Sequence, residues 1–182
     1  MVTILGREVP NQLSELTVLQ FEQITTIHAK ADIDAIEKHL DVFVLMGVPE
    51  SEFDDVQIEE FREIVKQFNQ LEGTPAIQQT IEIDGFKYTA FHGDEFKLSV
   101  RDTKFIEKVM RDKDKGYLSE MLAVLFKRDD LSKTEHYTDA HIKHKAKLIQ
   151  ELKAELVVPY LVEIGKKLST QITKNDLTEV LE

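Results

Sequence analysis

Residues 81–91, IEIDGFKYTAF, decide how this chain is read, because they carry its clearest hairpin signal while the surrounding apolar residues recur at helical spacing. Asp84-Gly85 is a dipeptide favoured in a type I′ turn, where both central residues need positive φ. That turn sets Ile83 opposite Phe86, Ile81 opposite Tyr88 and Glu82 opposite Lys87. The expected hairpin has one apolar face and one face with opposed charges. A fainter hairpin lies in VTILGREVP, residues 2–10, with Leu5-Gly6 at the turn and Val2 opposite Val9. Leucine is a poor residue for positive φ, so this signal is the weaker of the two.

Each hairpin is followed by the same sequence of signals. LTVLQFEQI from Leu16 and LSVRDTKFI from Leu98 place Thr17 and Ser99 at an N-cap position, with Gln20 and Asp102 three residues on, as in a capping box. At an offset of 82, Val18 aligns with Val100, Ile24 with Ile106, Ile27 with Val109, Asp32 with Asp114, Ile36 with Leu118, Leu40 with Leu122, Val42 with Val124 and Phe43 with Leu125. At an offset of 84, Ile58 aligns with Ile142, Ile64 with Leu148, Val65 with Ile149 and Phe68 with Leu152. Leu19 with Arg101, Phe21 with Thr103 and Leu45 with Lys127 are mismatches. Any two amphipathic helices agree at some offset, but recurrence of a hairpin, a cap and three helices in one order reads as a duplication.

The expected fold is therefore mainly α, with a minor β component, built from two similar hairpin-plus-three-helix units in tandem. They span residues 1–74 and 79–155, with LEGTPAIQQ (71–79) between them. A closing helix over 157–182, with Pro159 near its first turn and Leu161, Ile164, Leu168 and Ile172 on one face, is expected to pack on both. The expected core is Ile24, Ile27, Ile36, Leu40 and Phe43 with Ile106, Val109, Leu118, Leu122 and Leu125.

Composition narrows the function. With 42% apolar residues, 7 Gly and 4 Pro in 182 residues, the chain has core material but few turn residues, which favours helix. It has no cysteine, which removes thiolate metal sites, disulfides and cysteine nucleophiles. A net charge of −11 argues against nonspecific nucleic-acid binding, a local basic patch excepted. No apolar run approaches the length of a bilayer span and the N-terminal residues do not resemble a secretory signal, so no membrane contact is expected and an intracellular location is.

In EHYTDAHIKHK, residues 135–145, His141 and His144 share a helical face near His136 and Asp139. Neighbouring lysines oppose a cation there, and the stretch reads as a solvated helix without a metal. No phosphate-cradling glycine loop and no Gly-x-Ser-x-Gly elbow occurs. No catalytic residue and no cofactor is expected, and the chain is read as a non-enzyme.

LSELTVLQFEQI (13–24) followed by AIEKHLDVFVLMGVPESEFDDVQIEEF (35–61) resembles the small helical tail assembly chaperones, and related tail-region proteins, of long-tailed bacteriophages. The shared features are the helix start at Thr17, Gln20 and Phe21, and an apolar helix ending in MGVPESEF before an acidic-capped helix. YLSEMLAVLFKRDD from Tyr117 echoes that element. The resemblance implies a morphogenesis protein of the host cytoplasm that binds a helical, tape-measure-type protein before the tail tube is built, and it carries over no catalytic residue. The hairpins and the duplication depart from the simplest helical chaperone. A virion component, such as a connector or an internal packaged protein, and a bacterial protein-interaction module stay open as alternatives.

The candidate partner-binding residues are Glu50, Glu52, Asp54, Asp55, Glu59, Glu60 and Glu63, a run in which Arg62 is the one basic residue. The corresponding second-half segment carries Lys143, Lys145, Lys147 and Lys153. Opposite signs on matched helices suit either capture of a partner helix or association of this chain with itself.

Overall fold

The computed structural model describes residues 1–69, 75–90, 100–112, 117–128 and 138–165. The chain is mainly helical, with two small antiparallel sheets. Ser99 as a cap, Asp114, His136, Gly73, Leu168 and Ile172 lie outside the described residues.

Strands β1 (Val2–Ile4) and β2 (Arg7–Val9) pair with Val2 opposite Val9. Strands β3 (Thr80–Ile83) and β4 (Phe86–Ala90) pair with Ile81 opposite Tyr88, Glu82 opposite Lys87 and Ile83 opposite Phe86. Both turns use two consecutive positive-φ residues, Leu5 at 48° and Gly6 at 79°, Asp84 at 52° and Gly85 at 76°. The primed turn matches the right-handed twist of the strands, and the first hairpin adopts it even with a leucine in the left-handed region.

Helices α1 (Val18–Ala29) and α2 (Ala35–Leu45) follow the first hairpin, then a 3-10 turn at Glu50–Phe53 and helix α3 (Ile58–Phe68). The capping box at α1 is complete: the Thr17 hydroxyl accepts from the Gln20 amide, and the Thr17 amide donates to the Gln20 side chain at 2.9 Å. Asp34 caps α2 by accepting from the amides of Ile36 and Glu37. Helices α4 (Val100–Asp112), α5 (Tyr117–Leu125) and α6 (Asp139–Gln150) follow the second hairpin, and Thr138 caps α6. A further helical stretch covers 158–165.

The chain departs from the expected helix after Leu125, where Phe126–Arg128 form strand β5 on the open edge of β4. Each residue of that strand has its own anchor. Phe126 is buried with its ring 5.1 Å from that of Tyr160, Lys127 reaches Asp102 at 3.2 Å, and the Arg128 guanidinium lies 3.6 Å above the Phe86 ring. The earlier mismatch of Leu45 with Lys127 marks this place, since Leu45 ends a helix while Lys127 belongs to a sheet.

Two main clusters and a seam make the core. Phe43 is fully buried with ring centroids 5.5, 6.1 and 5.2 Å from Phe53, Phe61 and Phe68, beneath Ile4 and Val9 of the first hairpin. The second cluster joins the inner faces of β3, β4 and β5 to α5, α6 and the 158–165 stretch, through Ile81, Tyr88, Leu122, Ile149 and Ile164. Across the seam the backbone pairs directly: the Val18 amide donates to the Leu152 carbonyl and the Ala154 amide to the Leu16 carbonyl, both at 2.9 Å. Leu16, Ala154 and Val158 close over it with Phe21 and Met46.

Of the expected core, Phe43, Ile106, Val109, Leu122 and Leu125 are buried, and Ile24, Ile27, Leu40 and Leu118 are half-buried. Ile36 is a correction: it is exposed, because it sits in the first turn of α2, beyond the reach of the phenylalanine cluster around Phe43.

Candidate partner-binding surface

Pro49 precedes the 3-10 turn, and that turn tucks Phe53 into the phenylalanine cluster while leaving Glu50, Asp54 and Asp55 exposed. Helix α3 buries Phe61 and Phe68 and half-buries Ile64 and Val65, which commits the other side of the helix to water. Glu59, Glu60 and Glu63 are exposed there, the first two in the opening turn, where carboxylates complement the helix dipole. Six of the seven acidic residues therefore form one exposed surface carried by a rigid aromatic core.

Glu52 stands apart from them. The Arg7 guanidinium donates to it from Nε at 3.0 Å and from Nη2 at 2.6 Å, clamping the turn to the first hairpin. Those bonds hold its carboxyl below the usual value. Glu63 meets Lys66 at 3.4 Å across one turn of exposed helix, a contact worth little in water. Glu50, Asp54, Asp55, Glu59 and Glu60 make no ion pair among the described residues.

The second-half lysines do not form the matching basic face. Lys143 and Lys147 are exposed on α6, but Lys145 is buried, donating from Nζ to the Phe126 carbonyl at 2.8 Å with the Tyr88 ring 5.2 Å away. Lys153 donates to the Glu15 carbonyl at 3.1 Å, across the seam. His141 and His144 are both exposed. Among the described residues, no group of three or more His, Cys, Asp or Glu is placed to hold a metal ion.

Burial, reinforced by the nearby Lys127 charge and opposed by Asp102, pushes the Lys145 ammonium down to about 7 from 10.5. The folded state thus prefers the neutral amine. Stability from this group is complete only above its unfolded value and is lost as pH falls toward 7. Lys145→Met is expected to stabilise the protein most below pH 7, by about 1–3 kcal/mol, with the gain shrinking as pH rises beyond 7. Urea unfolding of both proteins at pH 6 and pH 9 measures it, and a gain of equal size at both would contradict the assignment.

The most buried acidic side chain among the described residues is one that reading the sequence passed over. Glu22 on α1 accepts from the Ser119 amide at 2.6 Å, from the Ser119 hydroxyl at 3.1 Å and from Gln150 at 3.4 Å, so it caps the first turn of α5 from across the seam. Burial raises its carboxyl above the ordinary value although the Ser119 and Gln150 bonds pull the other way. Its position four residues after Val18 is no signal by itself, since the burial of that face comes from the seam.

No helix is long and apolar enough to cross a membrane among the described residues. No family model, no curated protein and no solved structure matches the chain.

Proposed function

We propose that this chain is a non-enzymatic morphogenesis protein of a tailed bacteriophage, similar to the tail assembly chaperones, acting in the host cytoplasm. It holds a helical, tape-measure-type protein until the tail tube is built. One observation carries this reading: the exposed carboxylates of the 3-10 turn and α3 stand on a rigid aromatic base, with little basic charge beside them to neutralise them. Such a surface favours a helix that presents lysine or arginine, and speeds its capture by long-range attraction.

The two halves are read as copies of one hairpin-plus-three-helix unit. Recurrence of hairpin, helix, helix, helix supports this, as do two turns of the same backbone type. Divergence then falls where the second unit gains β5.

Affinity capture with the tagged full chain, followed by mass spectrometry, tests the function. The expected result is enrichment of one long helical protein, lost with Glu59→Lys/Glu60→Lys/Glu63→Lys while the circular dichroism spectrum and Tm stay unchanged. Equal recovery by both proteins would remove the acidic surface from any role in binding.

A further inference from the structure

The two units of this chain meet through a face that one of them uses and the other leaves open. Val18 and Glu22 lie four residues apart on α1, and both are buried against the second half. Their counterparts at the offset of 82 are Val100 and Lys104, at the start of a stripe on α4 that continues through Lys108 and Arg111. That stripe is bare: Val18 is 1% exposed and Val100 is 74% exposed. Lys104, Lys108 and Arg111 are exposed as well, with no ion pair among the described residues.

The receiving face is open in the same sense. In the second half, α1 sits on the part of α5 that carries Ser119, flanked by Leu118 and Leu122. The corresponding residues of α2 are Glu37, Ile36 and Leu40, and Val44 extends the same stripe by one turn. Leu40, the counterpart of the fully buried Leu122, is half-buried against the phenylalanine cluster, but Ile36, the counterpart of the half-buried Leu118, is 45% exposed, and Val44, the counterpart of the buried Phe126, is 46% exposed.

We propose that α4 of one copy docks on α2 of a second copy, repeating between chains the contact that α1 makes with α5 within the chain. The occupant is a second molecule of this protein, and the inference rests on the reading of the halves as copies. Electrostatics agrees with the pairing. Within the chain, the Glu22 carboxylate caps the first turn of α5; at α2, Asp34 already caps that turn from inside. The incoming residue therefore need not be an anion. It is Lys104, and it meets Glu37 in place of Ser119. Lys66, at the position of Gln150, is drawn aside by Glu63 at 3.4 Å. The contact is head-to-tail, so it generates a ring or an open filament rather than a two-fold dimer.

Sedimentation velocity of the full chain over rising concentration, at low salt, tests this with three proteins: wild type, Lys104→Glu and Glu37→Lys. Wild type is expected to grow past a dimer. Each single variant, which sets like charges against each other, is expected to lose at least tenfold in association. An equimolar mixture of the two variants is expected to recover it, because both contacts in an alternating assembly are again complementary. Wild type that stays monomeric, or stops at a dimer, overturns the proposal and leaves the internal duplication standing. Assembly that Val100→Asp disrupts but Glu37→Lys does not touch overturns both, since the docking site would then not be the one the duplication assigns. Charge reversal at Glu59, Glu60 and Glu63, whose second-half counterparts Lys143, His144 and Lys147 are exposed away from the seam, should leave self-association intact while abolishing capture of the helical partner.

Discussion

Phe43→Ala is expected to destabilise the protein by about 3–5 kcal/mol, the range for removing a fully buried aromatic side chain and leaving a cavity. Phe43 is the ring that touches Phe53, Phe61 and Phe68 at once, so its loss removes an aromatic partner from three others. It also removes the platform under the acidic turn, because Phe53 stacks on it at an interplanar angle of 14°. Leu40→Ala, on the same helix but half-buried, is expected to cost less. Urea unfolding of both variants checks the order, and a larger loss for Leu40→Ala would place the centre of the first cluster elsewhere.

Glu22→Ala should cost about 2–4 kcal/mol, because it removes from a buried seam the acceptor of the Ser119 amide and hydroxyl, and one of the two acceptors of the Gln150 amide. Glu22→Gln retains one acceptor oxygen and is the informative partner for a pH series. Burial raises the folded carboxyl above its ordinary 4.5, so the folded state holds its proton more tightly than the unfolded chain does. The stability this contributes is complete below the ordinary value and is lost as pH rises through the raised one. Wild type should therefore lose ground to Glu22→Gln as pH rises from below the ordinary carboxylate value to above it, which is the window to scan. Unfolding free energies that differ by a constant across that window would show that the carboxyl is solvated.

Much of the local structure was legible because its cause is local. A two-residue Asp-Gly turn between alternating apolar residues specifies a register, and the pairs Ile81 with Tyr88 and Ile83 with Phe86 follow from it. The capping box at Thr17 and Gln20 is likewise a contact within one turn of chain. What escaped depends on neighbours distant in sequence. Leu122–Phe126 is an apolar run that serves equally as helix or strand, and the open edge of β4, which decides the end of it, is supplied from residues 86–90. Lys145 looks like one of several alternate lysines on α6, yet the Phe126 carbonyl and the Tyr88 ring take it inside.

The candidate surface divides the same way. That Glu59 and Glu63 are exposed follows from Phe61, Ile64, Val65 and Phe68 turning inward at helical spacing. That Glu52 is clamped required Arg7, 45 residues earlier and on a hairpin strand. Glu22 carries no mark in its own neighbourhood, since a glutamate four residues from a valine is ordinary on any helix. Its burial comes from Ser119 and Gln150, which the fold brings to it from 97 and 128 residues away.

The central claim is that the acidic face of α3 and the turn before it draws in a helical partner by charge. The most direct measurement is the association rate with that partner, for wild type and for Glu59→Lys/Glu60→Lys/Glu63→Lys, over rising ionic strength. Screening shortens the Debye length to about 8 Å at physiological salt, so a rate driven by charge must fall with it. Wild type should associate fastest in low salt and slow steeply as salt is added, while the triple variant stays folded, starts slow and changes little. Equal rates for the two folded proteins in low salt would contradict the account.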